Sequence, residues 1–338
     1  MSRFTTRFKI RRYYLDRPGD SAWRRLRNRV TRRPIPDFPR TLQIQTLTGC
    51  NADCVFCPYG ATHDSQAKGR MPDDLFRRII EEAARHDVRR ISPYLMNEPL
   101  MDRALPDRIR LINSLAPSSK VVVTTNGHFL TAEMTEALLD LGDGLHELYV
   151  SVQGIDRKAY ERTMRGNMDL DRTLANVARF LAARKRRGQE RPRLWITMVD
   201  TAIIDARAAV AYWQSRGVAS KYTVLENRGG NIADADDYSR APLRPYTTCQ
   251  RLFKQAYILF NGDMVLCCVD YSRKQVLGNV AASSVREVWN GPVARAIRRR
   301  YIDGDYARLP LCGSCRVGSL REVTVEEGGR RVVGEVAG

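Results

Sequence analysis

Three cysteines near the N-terminal end are the residues best suited to chemistry. They stand in the run Thr48-Gly49-Cys50-Asn51-Ala52-Asp53-Cys54-Val55-Phe56-Cys57-Pro58. The spacing C-x3-C-x2-C lets one compact loop aim three thiolates at a common centre. Such thiolates hold iron–sulfur clusters, and a four-iron cluster takes four ligands. The loop offers three, with no fourth cysteine nearby in the sequence. One iron is then left open to a ligand that is not protein. The competing reading is zinc, which takes four protein ligands, or three plus water with His or carboxylate among them.

A second group comprises Cys249, Cys267, Cys268, Cys312 and Cys315. Asn261-Gly262-Asp263 between apolar runs reads as a hairpin turn that delivers Cys267. Cys312-Gly313-Ser314-Cys315 closes the group. Cys249, Cys267, Cys312 and Cys315 supply four thiolates, enough for a fully ligated 4Fe–4S cluster. Of the adjacent pair, Cys267 is the expected ligand, because residues on a strand alternate faces. A structural zinc on four cysteines is the alternative.

The elements that must position these groups alternate regularly. Strand-like runs lie at Leu42–Leu47, Ile91–Met96, Lys120–Thr125, Glu147–Val152, Leu194–Val199 and Tyr222–Glu226. They are β-branched or aromatic and mostly apolar, as buried parallel strands are. Helical patterns fall at about 73–86, 102–115, 131–141, 156–163, 169–186 and 203–216. Asp73, Thr131 and Asp169 stand at N-cap positions, and Gly142, Gly188 and Gly217 at helix stops. The expected fold class is α/β, six strand–helix units forming a parallel sheet with helices on one side. In such barrels, chemistry collects at the C-terminal ends of the strands. A helix at about 285–300 precedes the closing cysteine pair.

Together these features resemble the radical S-adenosylmethionine (SAM) superfamily, with a Twitch module, the short form of the SPASM extension. The cysteine loop with Phe56 before its last Cys carries the first part of the resemblance. The second rests on the Gly-x-x-x-x-Cys hairpin, Leu277-Gly278-Asn279, and a helix ending in Val-Trp-Asn-Gly before C-x2-C. The resemblance implies a partial (β/α)6 barrel over 41–228 and a small α+β Twitch/SPASM-like domain over 229–320. A basic extension, 1–40, and a short polar tail, 321–338, flank them. The implied cofactors are a SAM-binding 4Fe–4S cluster on Cys50, Cys54 and Cys57, SAM itself, and a second, auxiliary 4Fe–4S cluster. Asn97-Glu98-Pro99 stands where the family has a Gly-Gly-Glu-like motif, so Glu98 would hold SAM's amino end. Thr125-Asn126-Gly127 matches a turn frequent in the family. Ser151 and Gln153 would bond SAM's ribose or carboxylate, and Arg162 or Arg165 its carboxylate. Candidates for a base near the substrate carbon are Glu226, Arg228, Asp200 and His128, in that order.

The chain has 338 residues, 43% hydrophobic and 28% charged, an ordinary globular composition. No run of eighteen apolar residues indicates a transmembrane helix. The cysteine grouping suits metal binding in a cytoplasmic enzyme better than a secreted disulfide framework. The net charge is +18, and residues 1–40 hold thirteen basic against three acidic residues. No nucleic-acid signature accompanies this arm, so a nucleic-acid partner is not expected. The expected activity is oxidation of a sugar, aminocyclitol or nucleoside alcohol to a ketone in natural-product (antibiotic) biosynthesis. It would act on a small-molecule substrate with a donor such as flavodoxin or ferredoxin. Rival activities are peptide maturation, epimerisation with Cys267 or Cys268 giving back a hydrogen atom, and radical C–C coupling. A rival of another class is a non-catalytic iron–sulfur or zinc protein that binds nucleic acid through the arm.

Overall fold

The computed structural model describes residues 21–31, 33–247 and 249–318, with the short strands Tyr13–Tyr14, Thr324–Glu327 and Arg330–Val333. Six strands lie parallel in chain order: β1 (Thr41–Ile44), β2 (Arg90–Ser92), β3 (Lys120–Thr125), β4 (Glu147–Ser151), β5 (Arg193–Asp200) and β6 (Ala219–Val224). Each crossover contains helix: α1 (Asp73–Ala84), α2 (Leu105–Leu115), α3 (Ala132–Leu139), α4 (Arg157–Thr163) with α5 (Leu170–Arg186), and α6 (Ala206–Gln214). The Val121, Val123, Leu148, Val150 and Ile196 side chains are fully buried in one core with Phe76, Ile80, Ile109 and Phe180 from the helices. That is the parallel α/β architecture the alternation implies.

The helix starts follow local chemistry. Thr131 accepts from the Met134 N–H at 3.2 Å, and Asp169 from the Arg172 N–H at 2.7 Å, satisfying first-turn donors. Asp73 does not cap. Pro72 occupies the N-cap, and the Asp73 carboxylate is taken by Arg108 at 2.9 Å and Arg70 at 3.2 Å. The expected helix at about 285–300 is two helices, α7 (Val285–Trp289) and α8 (Pro292–Asp303). Pro292 lacks an N–H and so begins a helix rather than continuing one.

The sheet does not end with the barrel. β7 (Gln255–Ile258) runs parallel beside β1, pairing Ala256 with Leu42 and Ile258 with Ile44. β8 (Asp263–Val265) and β9 (Val276–Asn279) follow antiparallel, the first through the expected Asn261-Gly262-Asp263 turn. The order across the sheet is β9-β8-β7-β1-β2-β3-β4-β5-β6. The hairpin after the barrel therefore extends the barrel's own sheet. A second apolar cluster, including Phe253, Leu266, Ile297, Tyr301 and Leu311, lies against it. The segment before β1 is tied in here too. The Trp289 indole N–H donates to the Pro36 carbonyl at 2.8 Å, and Asn290 to that of Asp37 at 2.8 Å.

Candidate active site

The cysteine loop leaves the C-terminal end of β1 and is clamped by the turn after α4. The Asp53 N–H donates to the Arg165 carbonyl at 2.8 Å, Val55 to Thr163 at 3.1 Å, and Asn167 to Asn51 at 2.9 Å. Gly166 makes this seam possible. Its φ is +86°, and a Cβ there would stand 2.8 Å from the Asn51 carbonyl oxygen. Arg165 neither caps its helix nor points inward. It is exposed, and its Nε donates to the Asp53 carbonyl at 3.2 Å. Arg162 is exposed as well.

Cys50, Cys54 and Cys57 are mutual electrostatic neighbours. Burial pushes the Cys50 thiol up to about 12 and raises Cys54 as well. A bound metal would supply the positive charge that thiols raised in this way need to ionise. A four-iron cluster takes one thiolate per iron, so its ligands surround the site without converging on one ion. Among the described residues no three Cys, His, Asp or Glu side chains converge as round a single ion. The donor set fits a cluster. Phe56 is buried in the core beneath this loop.

Glu98 is not a solvated loop acid. It is 3% exposed, its Oε1 accepts from the Leu100 N–H at 3.1 Å and the Thr125 hydroxyl at 2.5 Å, and its Oε2 from the Asn126 N–H at 2.7 Å. Burial raises its pKa to about 7 against these three bonds. It ties the loop after β2 to that after β3. Asn97 accepts from the Leu95 N–H at 3.1 Å, and its amide nitrogen is buried without a partner. Asn126 donates to Asn51 Oδ1 at 2.8 Å, joining the third loop to the cysteine loop. Gln153 is buried, and its Oε1 accepts from the Val199 N–H at 2.8 Å, bracing β4 against β5. Ser151 is half-buried at the end of β4.

The four candidate bases occupy different surroundings. His128 is buried edge-on against Phe129, centroids 4.8 Å apart, with Arg172 and Asp169 at the start of α5 as its charged neighbours; burial lowers its pKa. Asp200 pairs with Arg240 at 3.1 Å. Glu226 is 7% exposed and grips Arg251 with both oxygens, at 2.6 and 3.1 Å, with Arg228 at 3.7 Å. Burial works to raise its pKa, but Arg251 and Arg228 outweigh it and hold the carboxylate below its usual range. Arg228 adopts a φ of +50°, unusual outside glycine, and its Nε reaches the Phe56 carbonyl at 3.5 Å. Its other neighbours are Tyr271, Cys57 and Cys268. Arg228 therefore stands between the two cysteine sets. Arg251 is the partner that sequence alone does not reveal. It opens the four-residue helix Arg251–Lys254 beside the buried Leu252 and Phe253, with no motif to mark it.

In the second set, Cys249 neighbours Cys312, Cys315, Cys267 and Cys268. The Cys249 N–H donates to the Tyr301 hydroxyl at 3.2 Å, and Cys315 to the Cys312 carbonyl at 3.2 Å. Strand alternation does not choose between Cys267 and Cys268, because β8 ends at Val265 and both lie in the turn beyond it. Packing separates them instead. Cys267 lies against the second apolar cluster with Cys249 and Cys312. Cys268 also packs, as Tyr271 does, against the small cluster of Leu95, Met96, Tyr257, Leu259 and Val265 on the barrel side.

A parallel barrel with three half-buried cysteines after its first strand, and a further cysteine set joined to the same sheet, defines a class. The chain is a radical SAM enzyme with a C-terminal iron–sulfur module. Residues 44–199 match the radical SAM superfamily, and residues 249–316 the SPASM iron–sulfur cluster-binding domain. It is 20% identical to the S-adenosyl-L-methionine-dependent 2-deoxy-scyllo-inosamine dehydrogenase of Niallia circulans, over 81% of this chain and 91% of that protein. The crystal structure of BtrN with AdoMet and 2-DOIA superposes with a TM-score of 0.54 at 20% identity, covering 87% of this chain and 96% of the other. Streptococcus suis SuiB bound to its precursor peptide SuiA superposes at 0.63, with 16% identity, covering 84% of this chain and 74% of the other. No helix among the described residues is long and apolar enough to cross a membrane.

Proposed function

We propose that the chain dehydrogenates a secondary alcohol of an aminocyclitol or related sugar-like intermediate in antibiotic biosynthesis. The observation that carries this reading is the Glu226–Arg228–Arg251 group, lying between Cys57 on one side and Cys268 on the other. The sequence likeness to the inosamine dehydrogenase, which spans nearly all of that protein, supports the substrate class. When bound, SAM and its cluster would supply the radical that removes a hydrogen atom, and an auxiliary cluster would provide a place for the electron left behind. Cys50, Cys54 and Cys57 would hold the first cluster, and Cys249, Cys267, Cys312 and Cys315 the second. Glu98, Asn97, Asn126, Ser151 and Gln153 would shape the SAM side, with Glu98 the carboxylate that would answer the ammonium.

Arg228, a third exposed, would present its guanidinium to the substrate oxygen, with Glu226 and Arg251 behind it fixing its position, and the hydroxyl proton would leave to water. Loss of a C–H hydrogen atom, a proton and an electron from the alcohol carbon and oxygen leaves the ketone. A one-electron carrier such as flavodoxin or ferredoxin would reduce the first cluster.

The test uses anaerobically reconstituted protein with dithionite, SAM and 2-deoxy-scyllo-inosamine as probe. A product two mass units lighter, formed in step with 5′-deoxyadenosine, supports the reading. R228A should cut product at least tenfold while SAM cleavage without substrate persists. Solvent deuterium in an unoxidised product would replace dehydrogenation by epimerisation. Turnover of peptides alone would replace the substrate class.

A further inference from the structure

The turn after β8 does more than carry cysteines. Asp270, fully buried, accepts from the Lys274 and Gln275 N–H groups, both at 2.9 Å, and so fixes the turn's shape. The Gln66 side chain, from the segment after the first cysteine loop, donates to the Tyr271 carbonyl. Asn231 donates to the Val269 carbonyl at 2.9 Å. These anchors hold the turn across the barrel mouth. They deliver the Tyr271 hydroxyl to 3.5 Å from Cys57 Sγ, though the two residues are far apart in sequence. The Tyr271 ring packs with Cys268 in the small cluster of Leu95, Met96, Tyr257, Leu259 and Val265.

As a free thiol, Cys57 donates to the phenol oxygen. As an iron-bound thiolate it has no proton, and the phenol O–H is then the donor. A hydrogen bond to a ligand sulfur stabilises the more negative, reduced cluster, and such bonds are among the factors that set cluster potentials. We propose that Tyr271 is a positioning residue that bonds the Cys57 sulfur of the SAM-binding cluster and raises its reduction potential. The module that carries the auxiliary cysteines thereby tunes the first cluster. This rests on the reading of Cys57 as a ligand of that cluster.

The test is an anaerobic redox titration of the reconstituted full chain and its Y271F variant, followed by electron paramagnetic resonance. The cluster signal that changes on adding SAM identifies the first cluster. In Y271F its reduced-to-oxidised ratio at a fixed potential should fall about threefold to tenfold, the larger value being about 59 mV for one electron. The other signal should not move. In the parent, an exchangeable proton coupled to the SAM-responsive signal should appear by electron–nuclear double resonance, vanish in deuterated solvent, and be absent from Y271F. An unshifted ratio, an equal shift in both signals, or no such proton in the parent overturns the proposal. If Y271F fails to load iron, the parent's proton measurement decides alone. C57A separates the two levels: survival of the SAM-responsive signal there would overturn the ligand reading itself.

Discussion

Replacing Gly166 with alanine should loosen the cysteine loop while leaving the barrel folded. At a φ of +86° an alanine costs about 1–2 kcal/mol for the left-handed backbone alone. Its Cβ would also stand 2.8 Å from the Asn51 carbonyl oxygen and 2.9 Å from the Asp53 nitrogen. Both are backbone atoms and cannot rotate away, so the seam itself must part. Three backbone hydrogen bonds cross it, at 2.8, 3.1 and 2.9 Å, each with a net worth of about 1 kcal/mol. The whole penalty is then about 4–5 kcal/mol, confined to one seam, against a global stability of about 5–15 kcal/mol. The assay is iron and sulfide per chain after anaerobic reconstitution and gel filtration, with a thermal melt as control. The parent should carry about eight irons and G166A about four, because the auxiliary set does not touch this seam. SAM cleavage should fall with the lost iron. G166A with a full iron complement and parental SAM cleavage would refute the reasoning.

Glu98, raised to about 7 by burial, favours its protonated form in the folded chain; that stability is present in acid and is lost as pH rises through about 7. E98Q cannot titrate. Denaturation of the cluster-free proteins should therefore show the parent losing up to about 3 kcal/mol relative to E98Q between pH 4.5 and 7, and parallel pH profiles would contradict this. C267A should lose the auxiliary cluster's iron and C268A keep it, because only Cys268 also packs toward the barrel side; iron analysis of both variants decides, and the reverse result assigns Cys268 as ligand.

The legible part of the fold was the part with a local signal. The valines of β3 and the Thr131 and Asp169 caps act within a few residues of themselves, so their pattern survives in the sequence. Asp73 carries the same signal as those caps, but long-range arginines claimed its carboxylate. β7 reads as an apolar run, and nothing local says that it pairs with β1 from the other side of the barrel. The site divides in the same way. The cysteine spacings announce themselves because their geometry is local. Arg251 and Tyr271 do not, since each gains its partner only when the hairpin folds back on the barrel. Glu98 was legible as a residue at the right strand end. Its three protein donors were not, because they come from the loop after β3 as well as from its own.

The parallel pairing of β7 with β1 explains how one chain brings two cysteine sets together. Both strands point the same way, so the segments that leave them emerge at the same end of the sheet. The first cysteine loop follows β1 directly. The auxiliary hairpin turns just past the end of β7, β8 runs back antiparallel, and the turn after β8, which carries Cys267 and Cys268, brings Tyr271 to Cys57. The Gln45 N–H donates to the Ile258 carbonyl at 2.8 Å, and the Gln45 side chain accepts from Phe260 at 3.4 Å, so register is held where the two segments diverge. A one-residue slip there would move the hairpin by about 3.3 Å and turn its side chains to the opposite face. Tyr271 could then no longer reach Cys57, and Cys268 would leave Arg228. The spacing between the two cysteine centres is thus set by backbone register in one continuous sheet, a stiffer support than packing between two separate domains would give.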